Sequence, residues 1–133
     1  MYYALVYGVV SFFDLGTGAL RLACGSEGGK VRIFDAVAGG EALVVLKGHT
    51  DRVCALTFFK DPATGGLRLA SGSDDGSMRV WDLVVGGVAL FVLEGHTEEV
   101  NALIAFADPA TGETRLVSGS KATFSRDKTM RVW

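Results

Sequence analysis

Short apolar runs separated by turn residues fill most of this 133-residue chain. In its middle they predict four strands, at about 52–60, 66–73, 77–82 and 88–93. Glycine, aspartate and proline mark the turns between them, and Pro62 presets the first turn for a glycine in the left-handed conformation at its end. Because every connection is short, the strands should form an antiparallel meander. No stretch keeps a helical apolar period, so the pattern predicts an all-β fold.

The predicted strands are apolar on both faces. In the run from Val53 to Phe59, VCALTFF, neither the odd nor the even positions are polar. A sheet with one face in water would alternate more cleanly. We therefore expect each four-stranded sheet to lie between two neighbouring sheets, as the blades of a β-propeller do.

The pattern is repeated along the chain. Gly-His pairs begin at Gly48 and Gly95, 47 positions apart, and open two strong copies. A weaker copy precedes them at 6–35. We predict one domain, 1–133, made of three blades. Their expected bounds are about 1–47, about 48–94, and about 95–133 with the last strand missing.

The motifs within each copy resemble those of the WD-repeat family of β-propellers. They are a Gly-His pair, a Ser-Gly-Ser strand, a turn with aspartate and a closing Trp or Trp-Asp. The resemblance covers essentially the whole chain and implies a partial propeller. Closed propellers have four to eight blades. The predicted open arc of eleven strands is therefore expected to be a fragment of a longer product.

The resemblance also implies a hydrogen-bonded tetrad of His, Ser, Asp and Trp in each blade. Buried polar groups of these four types can satisfy one another. The second blade would use His49, Ser71, Asp75 and Trp81, and the third His96, Ser118, Asp127 and Trp133. The first blade departs from the motif, with Tyr2, Cys24, Gly28 and Phe34 at the matching positions. We expect that blade to rely on apolar packing and to be the loosest.

Partners of this family often dock on the face that carries the loops between blades and the second turn of each blade. On this chain the candidate partner-binding residues are Arg52, Asp74, Glu99, Lys121, Phe124 and Arg126. The last three lie in five extra residues and their flanks, between Ser118 and Met130. An aromatic residue among cations could form a binding hot spot for an acidic peptide. Loops also tolerate insertions at little cost, so simple drift is the favoured reading of this insertion.

Composition narrows the classes of partner. Apolar residues make up 49% of the chain and the net charge is −2, so neither a nucleic-acid nor a membrane surface is predicted. The uncharged segment 1–13 is expected to be a buried strand rather than a targeting peptide. Cys24 and Cys54 are expected to be reduced core thiols of a cytoplasmic or nuclear protein, with a disulfide as the alternative.

Several patterns in the chain have a possible chemical reading. Ser, His and Asp in one blade could suggest a hydrolase triad, but the set recurs with a Trp attached, which favours a structural brace. No helix follows the glycine-rich turns to bind a phosphate, and the Asp74-Asp75-Gly76 turn lacks the carboxylates of a calcium loop. No cofactor and no metal are predicted. The arginines Arg68, Arg79, Arg115 and Arg131 are interpreted as solvated strand ends.

The sequence therefore favours a non-catalytic scaffold that binds other proteins or peptides, as part of a larger propeller. Two alternatives stay open: a truncated or degenerate propeller without its own partner, and part of a propeller enzyme. The isolated chain is expected to self-associate or aggregate, because its end blades expose apolar faces. Two copies could in principle pair into a six-bladed ring.

Overall fold

The computed structural model describes residues 6–61, 64–83, 89–94, 100–120 and 130–132. These residues form eleven strands and the turns between them. The strands are β1 Val6–Phe13, β2 Leu20–Ser26, β3 Lys30–Asp35, β4 Val44–Lys47, β5 Val53–Lys60, β6 Leu67–Ser73, β7 Ser77–Asp82, β8 Phe91–Glu94, β9 Val100–Ala107, β10 Thr114–Ser120 and β11 Met130–Val132. No helix in the described part of the chain is long and apolar enough to cross a membrane.

Three antiparallel meanders account for all of these strands. β1 to β4 form the first sheet and β5 to β8 the second, each in chain order, and β9, β10 and β11 form the third. The sheets stack in sequence without closing into a ring, with β5 packed against β1 on one side and β9 on the other. This confirms the expected all-β, open partial propeller. The blade bounds drawn from the sequence remain a prediction.

The turns follow the local chemistry of their residues. In the second sheet the amide of Gly65 donates to the carbonyl of Asp61, and Gly65 has φ +72°. The next turn carries Gly76 at φ +83°. An L residue with a Cβ rarely adopts this left-handed conformation, which explains a glycine at both places. The predicted strands match those of the second sheet closely except β8, which begins at Phe91 rather than near 88.

The apolar core lies between the sheets. Between the first and second it contains Phe12, Val31, Leu46, Leu69 and Trp81, all buried. A second cluster, with Ala70, Met78, Val80 and Leu116, lies between the second and third sheets. The second sheet is therefore covered on both faces, as its two apolar parities predict.

The first strand is only half covered, which corrects the expectation of a buried strand at 1–13. Val10 and Phe12 pack towards the second sheet, whereas Val9 and Phe13 on the other face are 60% and 65% exposed. The first five residues lie outside the described part of the chain. The alternation follows from the period of two along a strand, with a covering sheet on one side only.

Neither Cys24 nor Cys54 forms a disulfide. Neither belongs to the core: Cys24 and Cys54 are both half-buried, which corrects the expectation of core thiols. The Sγ of Cys54 lies 3.1 Å from the carbonyl oxygen of Val100, so this thiol contacts the third sheet from the second. Burial raises the pKa of the Cys24 thiol above its usual range.

Candidate functional site

The second sheet brings His49, Ser71, Asp75 and Trp81 into one hydrogen-bonded chain. The indole Nε1 of Trp81 lies 2.8 Å from Ser71 Oγ, and that hydroxyl lies 2.7 Å from His49 Nε2. The other ring nitrogen, His49 Nδ1, lies 3.0 Å from Asp75 Oδ2. The four residues come from different elements of the chain. His49 follows β4, Ser71 lies on β6, Asp75 is in the β6–β7 turn and Trp81 is on β7.

The chemistry of the donors and acceptors fixes the direction of two of these hydrogen bonds. An indole N–H can only donate, so Ser71 Oγ accepts from Trp81. A carboxylate can only accept, so His49 Nδ1 donates to Asp75 Oδ2. The Ser71 hydroxyl lies within hydrogen-bonding distance of two further groups, His49 Nε2 at 2.7 Å and the Arg79 carbonyl oxygen at 3.5 Å.

Asp75 accepts more hydrogen bonds than the imidazole alone supplies. Burial raises its pKa, but the hydrogen bonds from His49, from the Ser77 hydroxyl and from the amides of Ser77 and Thr50 outweigh that effect. The two Ser77 contacts to Oδ1 are 2.6 and 2.8 Å, and the Thr50 amide lies 3.0 Å from Oδ2. The pKa of Asp75 therefore lies well below its ordinary value, and the carboxylate joins the turn to the loop that carries His49.

The order Ser, His, Asp is also that of a hydrolase triad, so the burial of the hydroxyl matters. Ser71 and Trp81 are fully buried and His49 is 7% exposed. A nucleophilic serine must reach a substrate carbonyl beside an oxyanion site. Ser71 Oγ is instead enclosed by the indole and the imidazole. The arrangement can hold three chain segments together, and it offers no accessible nucleophile.

Gly48 has a packing reason to precede the histidine. A Cβ at this position would lie 2.9 Å from Arg79 Nη1 and 3.1 Å from a ring carbon of Trp81. The bare backbone thus lets the arginine and the indole lie over the start of the loop. The Gly-His pair is therefore one unit, in which the glycine makes room for the Trp that the histidine reaches through Ser71.

The matching positions of the first sheet, where no tetrad is expected, and the tetrad predicted for the third sheet lie partly outside the described residues. In the first sheet, Cys24 and Phe34 are half-buried, Gly28 has no side chain, and Tyr2 lies outside the described residues. In the third sheet Ser118 is fully buried on β10. Its expected partners His96, Asp127 and Trp133 lie outside the described residues.

Two of the candidate partner-binding residues meet beside the tetrad. The Arg52 guanidinium pairs with the Asp74 carboxylate, and the Asp74 amide donates to the Arg52 carbonyl at 3.0 Å. The Arg52 side chain is 45% exposed and that of Asp74 only 10%. Glu99, Lys121, Phe124 and Arg126 lie outside the described residues, as does most of the insertion.

The opposite ends of the sheets carry ion pairs that sequence reasoning missed. In each sheet an arginine at the start of the second strand lies near two carboxylates. The pairs are Arg21 with Asp14 and Asp35, Arg68 with Asp61 and Asp82, and Arg115 with Asp108 and Glu113, at 3.1 to 3.9 Å. The interpretation as solvated strand ends is wrong for Arg68, whose side chain is 16% exposed, and for Arg79, which is half-buried with its Nε enclosed. An aspartate seven positions before each paired arginine was the available signal.

Grooves open between neighbouring sheets at this opposite end. One of about 660 Å³ lies between the first and second sheets, lined by apolar side chains such as Phe12, Leu43 and Leu67. A smaller groove of about 400 Å³ lies between the second and third sheets, and Phe59 and Phe91 are among the residues that line it. Within the described ranges, no group of three His, Cys, Asp or Glu side chains is placed to hold a metal ion.

Known proteins match this chain in sequence motif and in fold. The family model described as "WD domain, G-beta repeat" matches residues 40–82 and 87–133, together more than half of the chain. No curated protein matches it. Among 688 solved chains with a similar structure is one from a humanized mutant of the Chaetomium thermophilum Polycomb Repressive Complex 2 bound to the inhibitor GSK126.

That neighbour superposes with a TM-score of 0.72 at 21% sequence identity. The match covers 98% of this chain and 28% of the other, so this chain spans little more than a quarter of its length. At this identity the likeness shows the fold alone. With the family model on the same residues as the tetrad, the conclusion is that the chain belongs to the WD40-repeat family.

Proposed function

We propose that this chain is a non-catalytic scaffold for protein–protein interaction and forms part of a larger WD-repeat propeller. The observation that carries the proposal is the Arg52–Asp74 pair beside the tetrad. Asp74 is largely buried and fixes a guanidinium that remains 45% exposed. A cation held in one orientation on a rigid frame loses little entropy when a partner carboxylate binds it.

The rigid frame is the tetrad. Asp74 directly precedes Asp75, and Arg52 follows the loop that starts at His49, so both members of the ion pair are attached to segments that the tetrad joins. Recognition residues commonly lie on loops that a rigid scaffold positions. The tetrad would thus contribute to binding indirectly, by setting the distance between two loops.

The proposal excludes catalysis by the tetrad, because Ser71 Oγ is enclosed. The alternative of a propeller enzyme would need a second, accessible set of catalytic groups. A degenerate copy without its own partner predicts the same tetrad but no specific binding at Arg52. That alternative is tested by the capture experiment below.

The expected partner is a protein segment with a carboxylate that can bind the exposed Arg52 guanidinium, although Asp51 beside it is an exposed anion. From the sequence, Glu99, Lys121, Phe124 and Arg126 belong to the same surface, and they stay predictions. Two cysteines without a disulfide favour a reducing compartment, and we propose the cytoplasm or the nucleus. We also propose that the isolated chain self-associates, because Val9, Phe13, Ile104 and Phe106 are 43% to 65% exposed on its end sheets.

The test is capture of partners from an extract of the source cells with the intact parent protein. Wild type is compared with Arg52→Glu, which places an anion where the exposed cation lies. Glu41→Arg is the matched control, a charge reversal at an exposed position at the other end of the sheets. We expect Arg52→Glu to lose a specific set of partners that Glu41→Arg keeps.

Unchanged partners for Arg52→Glu, with folding intact by circular dichroism, would contradict the scaffold surface. Phe124→Ala combined with Arg126→Glu tests the insertion separately. If that variant also keeps all partners, the insertion is a tolerated one and takes no part in binding.

A further inference from the structure

The two ends of the stack expose the two halves of an interface that the chain already forms twice. Towards the next sheet, the first strand of the first sheet buries Phe12, and that of the second sheet packs Phe59 into the following cluster. The corresponding residue of the third sheet, 47 positions further on, is Phe106, which is 43% exposed. Its neighbour on the same face, Ile104, is 59% exposed.

The outer face of the first sheet, which would receive a preceding sheet, shows the same relation in reverse. We call it the receiving face. Leu56 packs against the first sheet and Leu103 against the second. Their equivalent in the first sheet is Val9, 60% exposed. The face that would receive a preceding sheet is therefore apolar and open, like the face that would dock a following one.

The second-last residue in the second strand of each sheet is a glycine, within Cys-Gly-Ser in the first sheet and Ser-Gly-Ser in the other two, and in the first two sheets its bare backbone shows how closely the next sheet approaches. A Cβ at Gly25 would overlap the carbonyl oxygen of Val53, on the first strand of the second sheet. At Gly72 it would lie 2.7 Å from Val100 Cγ1 and 3.0 Å from the Val100 carbonyl oxygen. In both places the next strand needs the space that a side chain would occupy.

Gly119 is the third glycine of this series, and no following strand contacts it in the structure. Among the described residues, a Cβ there would come within 4 Å of Ala102 of its own sheet alone, at 3.4 Å, which is an ordinary contact. Its backbone does not have a positive φ either. Within the described residues, nothing else explains a glycine at this position, whereas an approaching first strand would.

We propose that, in the 133-residue chain on its own, the open face of the third sheet docks the first sheet of a second copy, head to tail, in the place that a neighbouring blade would take in a longer propeller. Val6 of that copy, which lies 47 positions before Val53, would take the place over Gly119 that Val53 takes over Gly25. Phe106 would pack beside Val9 of the copy, as Phe12 packs among the residues around Leu56. The occupant is inferred from continuity with the two internal interfaces, which supply both complementary halves.

Such a contact is heterologous, since different faces of the two copies meet. If the rotation between copies closes after two, six sheets form a ring; otherwise the copies form a longer open array. The inference rests on the self-association proposed above, but it does not depend on partner binding at Arg52.

Gly119→Ala tests this docking. Because its Cβ has room within a single chain, the variant should fold like wild type, while the methyl group collides with a docked strand. Gly28→Ala is the matched control, since it adds the same methyl group at an exposed turn position where a Cβ meets nothing within 4 Å. The second test variant is Val9→Asp on the receiving face, with Val37→Asp, at an 86% exposed turn position, as its control.

The readout is molar mass by light scattering behind a sizing column, on the 133-residue chain at micromolar concentration, with circular dichroism as the check on folding. We expect wild type and both controls at two or more copies, and Gly119→Ala and Val9→Asp each at one copy. An equimolar mixture of the two variants should recover a dimer and nothing larger, because each retains the half that the other has lost.

Monomeric wild type would overturn both the docking and the proposed self-association, and would assign the open faces to another occupant. Oligomers whose mass is the same in folded Gly119→Ala would overturn the head-to-tail docking alone. A mixture that stays monomeric would also contradict it, since a single intact junction is then available and unused.

Discussion

At the residue scale, the hydrogen-bonded chain from Trp81 to Asp75 decides how the second sheet is held together. Each of its buried groups loses water on folding and regains a partner within the chain. The sequence identified these four residues only through a family resemblance, since spacing alone does not distinguish a brace from a catalytic triad. What separates the two is that Ser71 is fully buried, and burial is a property of the packed sheets.

Removing one member should destabilise the chain without removing any chemistry. His49→Ala leaves Ser71 and Asp75 with unmet hydrogen bonds, and Asp75→Ala leaves His49 and the Thr50 amide without theirs. Each loss should cost about 1–3 kcal/mol of unfolding free energy. Denaturant unfolding measures it, with the exposed Glu41→Ala as a control near wild type. Midpoints that match wild type would mean that the four contacts contribute nothing to stability.

The depressed pKa of Asp75 predicts a pH dependence of stability. A carboxyl whose pKa is lower in the folded than in the unfolded state stabilises the fold above the unfolded value, about 3.9. That contribution is lost as the pH falls from there towards the folded pKa. The unfolding free energy should therefore decrease below about pH 4, and Asp75→Asn should make this decrease shallower.

The pKa values of Asp35 and Asp108 are also lowered in the folded chain. Part of the decrease in unfolding free energy at low pH should therefore remain in Asp75→Asn. For Asp35 the backbone amides of Ala38 and Val37 lower the pKa most, and for Asp108 the amide of Ala110 does. Unfolding curves of wild type and Asp75→Asn between pH 7 and about pH 3 give the comparison. Parallel curves would show that Asp75 binds its proton equally well in both states.

At the scale of strands and sheets, the sequence was most informative where packing is two-sided. The predicted strand 77–82 coincides with β7, in which four of the six residues are buried. It was least informative at β1 and β9, where apolar residues on the outer parity looked like core. Val9 and Ile104 are instead exposed, because periodicity reports which positions could be buried but not whether a neighbouring sheet is present to cover them.

Gly72→Ala should disrupt the contact between the second and third sheets. Its methyl group would press on Val100, which is the first residue of β9. The variant should melt at a lower temperature than wild type and than Gly28→Ala, where a Cβ meets open space. An equal melting temperature for all three proteins would show that the sheets adjust their spacing freely.

The ion pairs of Arg68 with two aspartates should stabilise the end of the second sheet that lies opposite the Arg52 surface. Arg68 lies 3.5 Å from Asp61 and 3.4 Å from Asp82, so it links the β5–β6 turn to the end of β7. Arg68→Met keeps the aliphatic contact and leaves two carboxylates near one another. We expect a loss of about 0.5–1 kcal/mol, measured by denaturant unfolding in low salt and smaller in high salt. A loss unaffected by salt would assign the effect to packing alone.

At the scale of the whole molecule, the described strands of each sheet pack mainly against the sheets that adjoin it in the chain. Stability in such stacks is the sum of each unit and of its interfaces. The second sheet has two interfaces and a complete tetrad, whereas the first has one interface and Cys24, Gly28 and Phe34 at the tetrad positions. The central claim is therefore that the second sheet is the rigid frame on which the Arg52 surface lies.

Native-state hydrogen exchange, followed strand by strand, tests that claim most directly. It is measured on the single-copy Gly119→Ala chain, or on wild type if that is monomeric, so that docking between copies does not protect the end sheets. We expect the slowest exchange in β6 and β7, where the backbone hydrogen bonds break only when the tetrad also breaks. Exchange in β1 and β2 should be faster. Slowest exchange in the first sheet, or uniform protection across all three, would contradict it.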